Sequence, residues 1–245
     1  CAARFRDIEM AQKKAQEFDI VYFVKESAAN PELRYSLRTV CENFPHRKVW
    51  FYGGRPSYLH PDGHVHVVQN QKSKWERTTA MIRQICENPE ITDNWWLFND
   101  DFFVMHKTDG IPAAYNGDLY KYIVKVENRH GQKSTLYTQQ LRETVKKLEN
   151  KGCTTLNYAL HIPILINKEK ALATLDAFPG SPMFRSLYGN FNSIGGIDMK
   201  DCKITGLDRE PDEGRVFLST EDTAFMSGKV GEYIRDKFRE PSRFE

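Results

Sequence analysis

Apolar residues occur along this chain in short bursts separated by amphipathic stretches. Asp19-Ile20-Val21-Tyr22-Phe23-Val24 is one such burst, and its lack of a polar face marks a strand covered on both sides. Asn30-Pro31 then offers an N-cap and a proline at the first helical position. Leu33, Leu37, Val40 and Cys41 follow at helical spacing as far as Phe44-Pro45. Residues 48–52 read as a strand closed by Gly53-Gly54, and 64–68 alternate like a more exposed strand. Helical patterns cover 74–86, 135–150, 168–178 and 222–238, and residues 5–18 carry helix formers as well. Apolar strand runs cover 95–98, 102–105, 160–166 and 216–218.

Strands alternating with helices, with antiparallel pieces between them, predict a single α/β domain over 1–245, a three-layer α/β/α sandwich on a mixed sheet. In such folds ligands sit at the carboxyl ends of strands, an edge to which the strands at Asp19, Trp95 and Val216 all lead. Composition adds exclusions. With 40% hydrophobic and 28% charged residues and no apolar run near about 18 residues, no membrane span is expected. The opening residues lack a secretory pattern, and the five cysteines include no CxxC pair, so a reducing cytoplasm is the expected location. A net charge of +2 does not by itself call for nucleic acid. The Gly53-Gly54 spacing matches neither a P-loop nor a dinucleotide fingerprint, which sets kinases and dehydrogenases aside.

The candidate chemistry begins at Asn99-Asp100-Asp101, between two apolar runs. Paired carboxylates are costly to bury there without a cation, and hard oxygen ligands at a strand end suit Mg²⁺ or Mn²⁺ bridging to a diphosphate. A solvated turn is the competing reading. Arg34 and Arg38, four apart, share a helix face and can offer two guanidinium forks to a diphosphate, or solvate a surface. Arg185 poses the same choice between phosphate clamp and surface cation. By its setting, Leu160-His161-Ile162-Pro163, His161 reads first as a hydrogen-bonded core residue, and as a base only if it faces a cleft. Asp222 reads first as helix-capping chemistry.

Four segments, in order, resemble the Stealth family of sugar-1-phosphate transferases, which includes capsular polysaccharide phosphotransferases and N-acetylglucosamine-1-phosphotransferase. They are Asp19-Ile20-Val21-Tyr22; Glu32-Leu33-Arg34-Tyr35-Ser36-Leu37-Arg38 leading to Leu97-Phe98-Asn99-Asp100-Asp101-Phe102-Phe103; His161-Ile162-Pro163 with Phe184-Arg185-Ser186; and Leu218-Ser219-Thr220-Glu221-Asp222-Thr223. The resemblance implies a nucleotide-sugar transferase (GT-A-like) fold and a UDP-sugar donor. It also implies functional roles for Asp19, Arg38, Asp100, Asp101, His161, Arg185 and Asp222. The chain departs from the family pattern after Tyr22, where Phe23-Val24-Lys25-Glu26 replaces the usual Thr-Trp-Val and acid.

Three functions follow. In the first, a sugar phosphate passes to an acceptor hydroxyl, with Asp100 and Asp101 on the metal, Arg34, Arg38 and Arg185 on the phosphates, and His161, Asp19 or Asp222 in catalysis. In the second, the sugar alone is transferred and UDP leaves, the acceptor being a saccharide or a hydroxymethylated base in DNA, with Lys72, Lys74, Trp75 and Arg77 as a basic, aromatic contact. The third is a non-catalytic carbohydrate-binding module.

Overall fold

The computed structural model describes residues 17–69, 74–129, 131 and 133–245. At its centre is a five-stranded sheet in the order β3-β2-β1-β4-β7, formed by β1 (Asp19–Val24), β2 (Val49–Gly53), β3 (Gly63–His66), β4 (Asn94–Asn99) and β7 (Ile164–Asn167). The first four run parallel, and β7 is antiparallel to β4. From β1 the chain passes through α1 (Pro31–Asn43) to β2 and the edge strand β3, then returns through α2 (Lys74–Glu87) to β4 on the far side of β1. The carboxyl ends of β1 and β4 thus adjoin where the winding reverses, the position at which open α/β sheets leave a crevice.

Alternation within the strands sends side chains to two cores. Ile20, Tyr22 and Val24 meet Leu33, Leu37 and Val40 of α1, together with Phe51, Trp96 and Phe98. Val21, Trp50, Tyr52, Trp95 and Leu97 face the other way. They pack on Met81, Ile82 and Ile85 of α2 and on α5 (Lys168–Ala177) and α6 (Phe184–Phe191). Each such large side chain, withdrawn from water, contributes about 1.5–3 kcal/mol. The fold is therefore mixed α/β with helices on both faces. The face under α1 is completed by a second sheet, β5 (Phe102–Val104), β10 (Phe217–Thr220) and β9 (Lys203–Ile204).

A pair of helices, α3 (Leu119–Arg129) and α4 (Leu136–Asn150), forms a hairpin with its own apolar seam of Leu119, Ile123, Leu141, Val145 and Leu148. A short ladder joins β6 (Ala114–Tyr115) to β8 (Ile197–Asp198). Among the described residues no helix is long and apolar enough to cross a membrane.

Three expectations about the elements change. The helix over 5–18 falls almost entirely outside the described residues. The helix over 222–238 is two, α7 (Asp222–Ser227) and α8 (Lys229–Lys237), because Gly228 is extended (φ −94°, ψ 160°) between them. The apolar run over 160–166 pairs as a strand only from Ile164, since Pro163 has no N–H for a ladder.

Arg34 and Arg38 share a face of α1, as their spacing requires, but that face looks onto the 238–245 segment and not onto a phosphate cradle. Arg38 grips the Glu245 carboxylate with Nε (2.8 Å) and Nη2 (2.7 Å). Its Nη1 donates to the carbonyls of Phe238 (3.0 Å) and Arg239 (2.9 Å) just past α8. Arg34 stacks over Tyr58 at 4.2 Å and lies 3.4 Å from Glu245 Oε2. Fully buried Phe244 anchors the segment edge-on against Phe51. The assignment of both arginines to the phosphates is thereby corrected to a structural clamp. Arg38→Met should lower stability by about 3 kcal/mol, the usual cost of stripping one partner from a buried, charge-assisted pair. Urea denaturation measures it, and a loss under about 0.5 kcal/mol, typical of a surface pair, would contradict the clamp.

Candidate functional site

β4 ends at Asn99, and Asp100 and Asp101 turn the chain into β5 at the carboxyl edge, beside the end of β1. Asp100 Oδ2 accepts from Asn30 Nδ2 (2.9 Å). The same Asn30, in the left-handed region at φ 31°, caps α1 by accepting from Leu33 N at 3.2 Å. The cap therefore fixes the helix start and the carboxylate together. Asp101 Oδ2 accepts from Ser219 Oγ (2.9 Å) and from the Lys203 ammonium. Glu32, buried in the first turn of α1, accepts from Thr220 Oγ1 at 2.8 Å. Asp222, at the start of α7, pairs with Lys25 at 3.6 Å on the exposed rim. Below this edge Gly53 takes φ 123°, and a Cβ there would stand 2.2 Å from the Val24 carbonyl oxygen. Only glycine lets the end of β2 close on the end of β1.

Burial pushes the Glu32 carboxyl up to about 7, and the charges of Asp101, Asp222 and Asp100 push the same way. Burial likewise raises Asp100, against the hydrogen bond from Asn30. Raised carboxyls side by side are the mark of negative charge short of compensation.

The other wall is His161, Arg185 and Asp201. Asp201 accepts twice from His161, from the backbone N–H (2.9 Å) and from Nδ1 (2.7 Å). Burial alone would raise the Asp201 carboxyl, but the hydrogen bonds from His161 hold it below its usual value. With Nδ1–H given to a carboxylate, Nε2 is left as the accepting nitrogen. The His161 ring lies edge-on to Phe102, centroids 6.3 Å apart, and the Arg185 guanidinium sits 5.9 Å from the same ring. Arg185 donates to the Ile162 carbonyl at 2.5 Å, while its buried Nε has no partner among the described residues. Burial lowers its pKa to about 10, although Asp201 and Asp101 pull it upward. Phe102, immediately after the acidic pair, is thus the floor shared by both walls.

Of the residues singled out by sequence, Asp100, Asp101, His161, Arg185 and Asp222 converge on this edge. Asp19 does not. It begins β1, at the opposite edge of the sheet, and is fully buried. Arg47 holds it at 2.7 and 2.6 Å, Trp50 Nε1 at 3.0 Å and Thr92 N at 3.2 Å, so its role is corrected to that of a structural counter-ion. Arg38 lies two turns along α1 from the edge, bound to Glu245. Of the cations beside Trp75, Lys72 lies outside the described residues and Arg77 donates to the Gln69 carbonyl at 3.2 Å. The sequence reading missed Asn30, Glu32, Asp201, Lys203 and Ser219. Glu32 had one signal, an acid two residues after the cap; Asp201 and Lys203 had none.

The donor set fits a hard divalent cation. Asp100 and Glu32 have no cationic partner among the described residues, and oxygen-only, under-compensated carboxylates are what Mg²⁺ or Mn²⁺ takes. Among the described residues no three His, Cys, Asp or Glu side chains are gathered as a ready metal cage. Such a cation would keep water and substrate oxygens in its remaining positions, as Mg²⁺ commonly does. No model of a known protein family matches this chain, and no curated protein matches it either.

Glu32 generates a pH test. Its folded pKa, about 7, stands above the ordinary 4.5, so the fold favours the neutral acid, and that contribution is complete below pH 4.5 and lost as pH rises through 7. Glu32→Gln should therefore gain stability relative to wild type between pH 4.5 and 7 and hold that gain above, read as the difference in urea midpoints across pH. A difference that does not change with pH would mean Glu32 titrates as an ordinary surface acid.

Proposed function

We propose that this chain is a divalent-cation-dependent transferase that takes a sugar or sugar phosphate from a UDP-sugar and delivers it to an acceptor hydroxyl, on a fold of the nucleotide-sugar transferase (GT-A-like) kind. One observation carries the reading: under-compensated carboxylates meet an Asp201-held histidine and a half-buried arginine at the reversal point of a mostly parallel sheet. Open α/β sheets bind their ligands there. The resemblance of four segments to the Stealth family supports the same chemistry.

Asp100, with Glu32 beside it, and the oxygen of Asp101 that Lys203 and Ser219 leave unused would hold the Mg²⁺ or Mn²⁺, which when bound supplies charge neutralisation and polarisation of phosphoryl oxygens. Arg185, half-buried and steadied by its bond to the Ile162 carbonyl, takes charge on the diphosphate. His161, oriented through Nδ1 by Asp201, receives the acceptor hydroxyl's proton on Nε2. Asp222 and Lys25 stand at the exposed rim, where they contact whatever enters.

Asp101→Ala and His161→Ala should each lower nucleotide release from a UDP-sugar with Mn²⁺ by about 100-fold or more, with far-UV circular dichroism unchanged. Chromatography identifies the product: UMP means the sugar phosphate is transferred, UDP the sugar alone. Wild-type turnover in Asp101→Ala would refute the metal role, and no turnover of any UDP-sugar by the wild type would leave a binding module as the better description.

A further inference from the structure

The α3–α4 hairpin carries a charge that the rest of the molecule does not. Between Asp118 and Lys151 there are eight Lys and Arg against four Asp and Glu, a net +4 in a chain of +2, so everything outside the hairpin is net negative. All four hairpin acids are engaged within the fold. Glu127 meets Arg142, Glu143 meets Lys147, Glu149 accepts from the Tyr120 hydroxyl, and Asp118 accepts from Thr155 and from Tyr120 N.

Lys121, Lys125 and Arg129 are different. They recur every fourth residue on α3, so they form one row about 6 Å apart along the helix, all exposed. None has an acidic partner among the described residues, whereas Arg83, Arg142, Arg215 and Arg239 each meet a carboxylate. Beside the row stand Tyr120 and Val124, 47% and 55% exposed. The inner side of the hairpin borders the candidate site, for its apolar seam packs on Met183 and Leu187, at the start of and within α6, the helix that carries Arg185.

We propose that this face of α3 is the docking surface for the acceptor, and that the acceptor is a duplex nucleic acid whose phosphate backbone lies along Lys121, Lys125 and Arg129. Three unpaired cations in a fixed row call for a polyanion and have no use for a neutral saccharide. A rigid helix presenting charges at fixed spacing matches a rigid line of phosphates, because a flexible acidic polymer would lose conformational freedom on binding that a duplex has already lost. As an acceptor surface it rests on the transferase reading; as a binding surface it is testable without it.

The experiment uses the full chain and a fluorescently labelled 20-base-pair DNA duplex, with anisotropy followed over a range of salt concentrations. Each phosphate contact contributes about 0.9 to the slope of log affinity against log salt. Combining Lys121→Gln, Lys125→Gln and Arg129→Gln should therefore flatten that slope by about 3 and weaken binding at least about tenfold. Release of nucleotide from a UDP-sugar without DNA should be unchanged in this variant, since none of the three touches the acidic edge. Equal binding by variant and wild type, or no binding by wild type, overturns the proposal, and so does equally effective competition by a flexible acidic polysaccharide of matched charge. Duplex binding without any donor turnover would sink the transferase reading and leave this surface standing; turnover without duplex binding would do the reverse.

Discussion

Negative charge buried at the carboxyl edge of the central sheet is the constraint around which this molecule is organised. Carboxylates there lose their hydration and must find donors or cations nearby. Much of the answer comes from three consecutive residues. Asp201 and Lys203 are two apart, and both reach the site while Cys202, almost fully buried, turns its thiol to the His161 carbonyl. Lys203 answers Asp101, and Asp201 fixes His161. A single short segment thereby joins the loop before β7 to the turn after β4, and neither wall of the site has its geometry without it.

The same accounting of charge separates structural acids from chemical ones. Asp19 is more deeply buried than Asp100 but is surrounded by a guanidinium, an indole N–H and a backbone N–H, and nothing about it asks for a ligand. Glu245 is held by Arg38 in a two-pronged grip and, despite its burial, lies below the usual carboxylate range. Asp100 and Glu32 draw on neutral donors, the Asn30 amide and the Thr220 hydroxyl among them, with no cation among the described residues, and both lie above it. Burial is common to all four; what differs is whether the fold supplies a cation. Where it does not, a diphosphate-bound metal ion is the natural supplement.

Much of the scaffold was legible from periodicity. The doubly covered strands at Asp19, Val49 and Trp95, the Asn30-Pro31 helix start and the amphipathic α4 are local patterns, and each is where the sequence places it. Helix α3 is absent from the elements that periodicity was used to place, although Leu119, Ile123 and Val126 bury one face of it at helical spacing. The site was legible only where its residues interrupt a pattern, as Asp100 and Asp101 interrupt two apolar runs. Arg34 and Arg38 show the limit of spacing arguments. Four-residue separation fixes that two side chains share a face, but what that face meets depends on a segment two hundred residues away. Asp201 and Lys203 sit in a stretch with neither hydrophobic period nor motif, so their role exists only in three dimensions.

If the chain is the transferase proposed above, the division of charge between edge and hairpin bears on how two anionic reactants can share it. On the proposed reading, a diphosphate approaching the acidic edge would meet repulsion from Glu32, Asp100 and Asp222 that Arg185 and Lys203 offset only in part, so the donor side would depend on a cation carried in with it. An anionic acceptor has no such escort and would be turned away by that edge. Cations set apart on α3, outside the hairpin's ion pairs of Arg142 with Glu127 and Lys147 with Glu143, would attract such an acceptor without competing for the donor's phosphates. A net charge of +2 averages these opposing fields almost to nothing, which is why composition alone is silent about a surface that the arrangement of charges makes distinct.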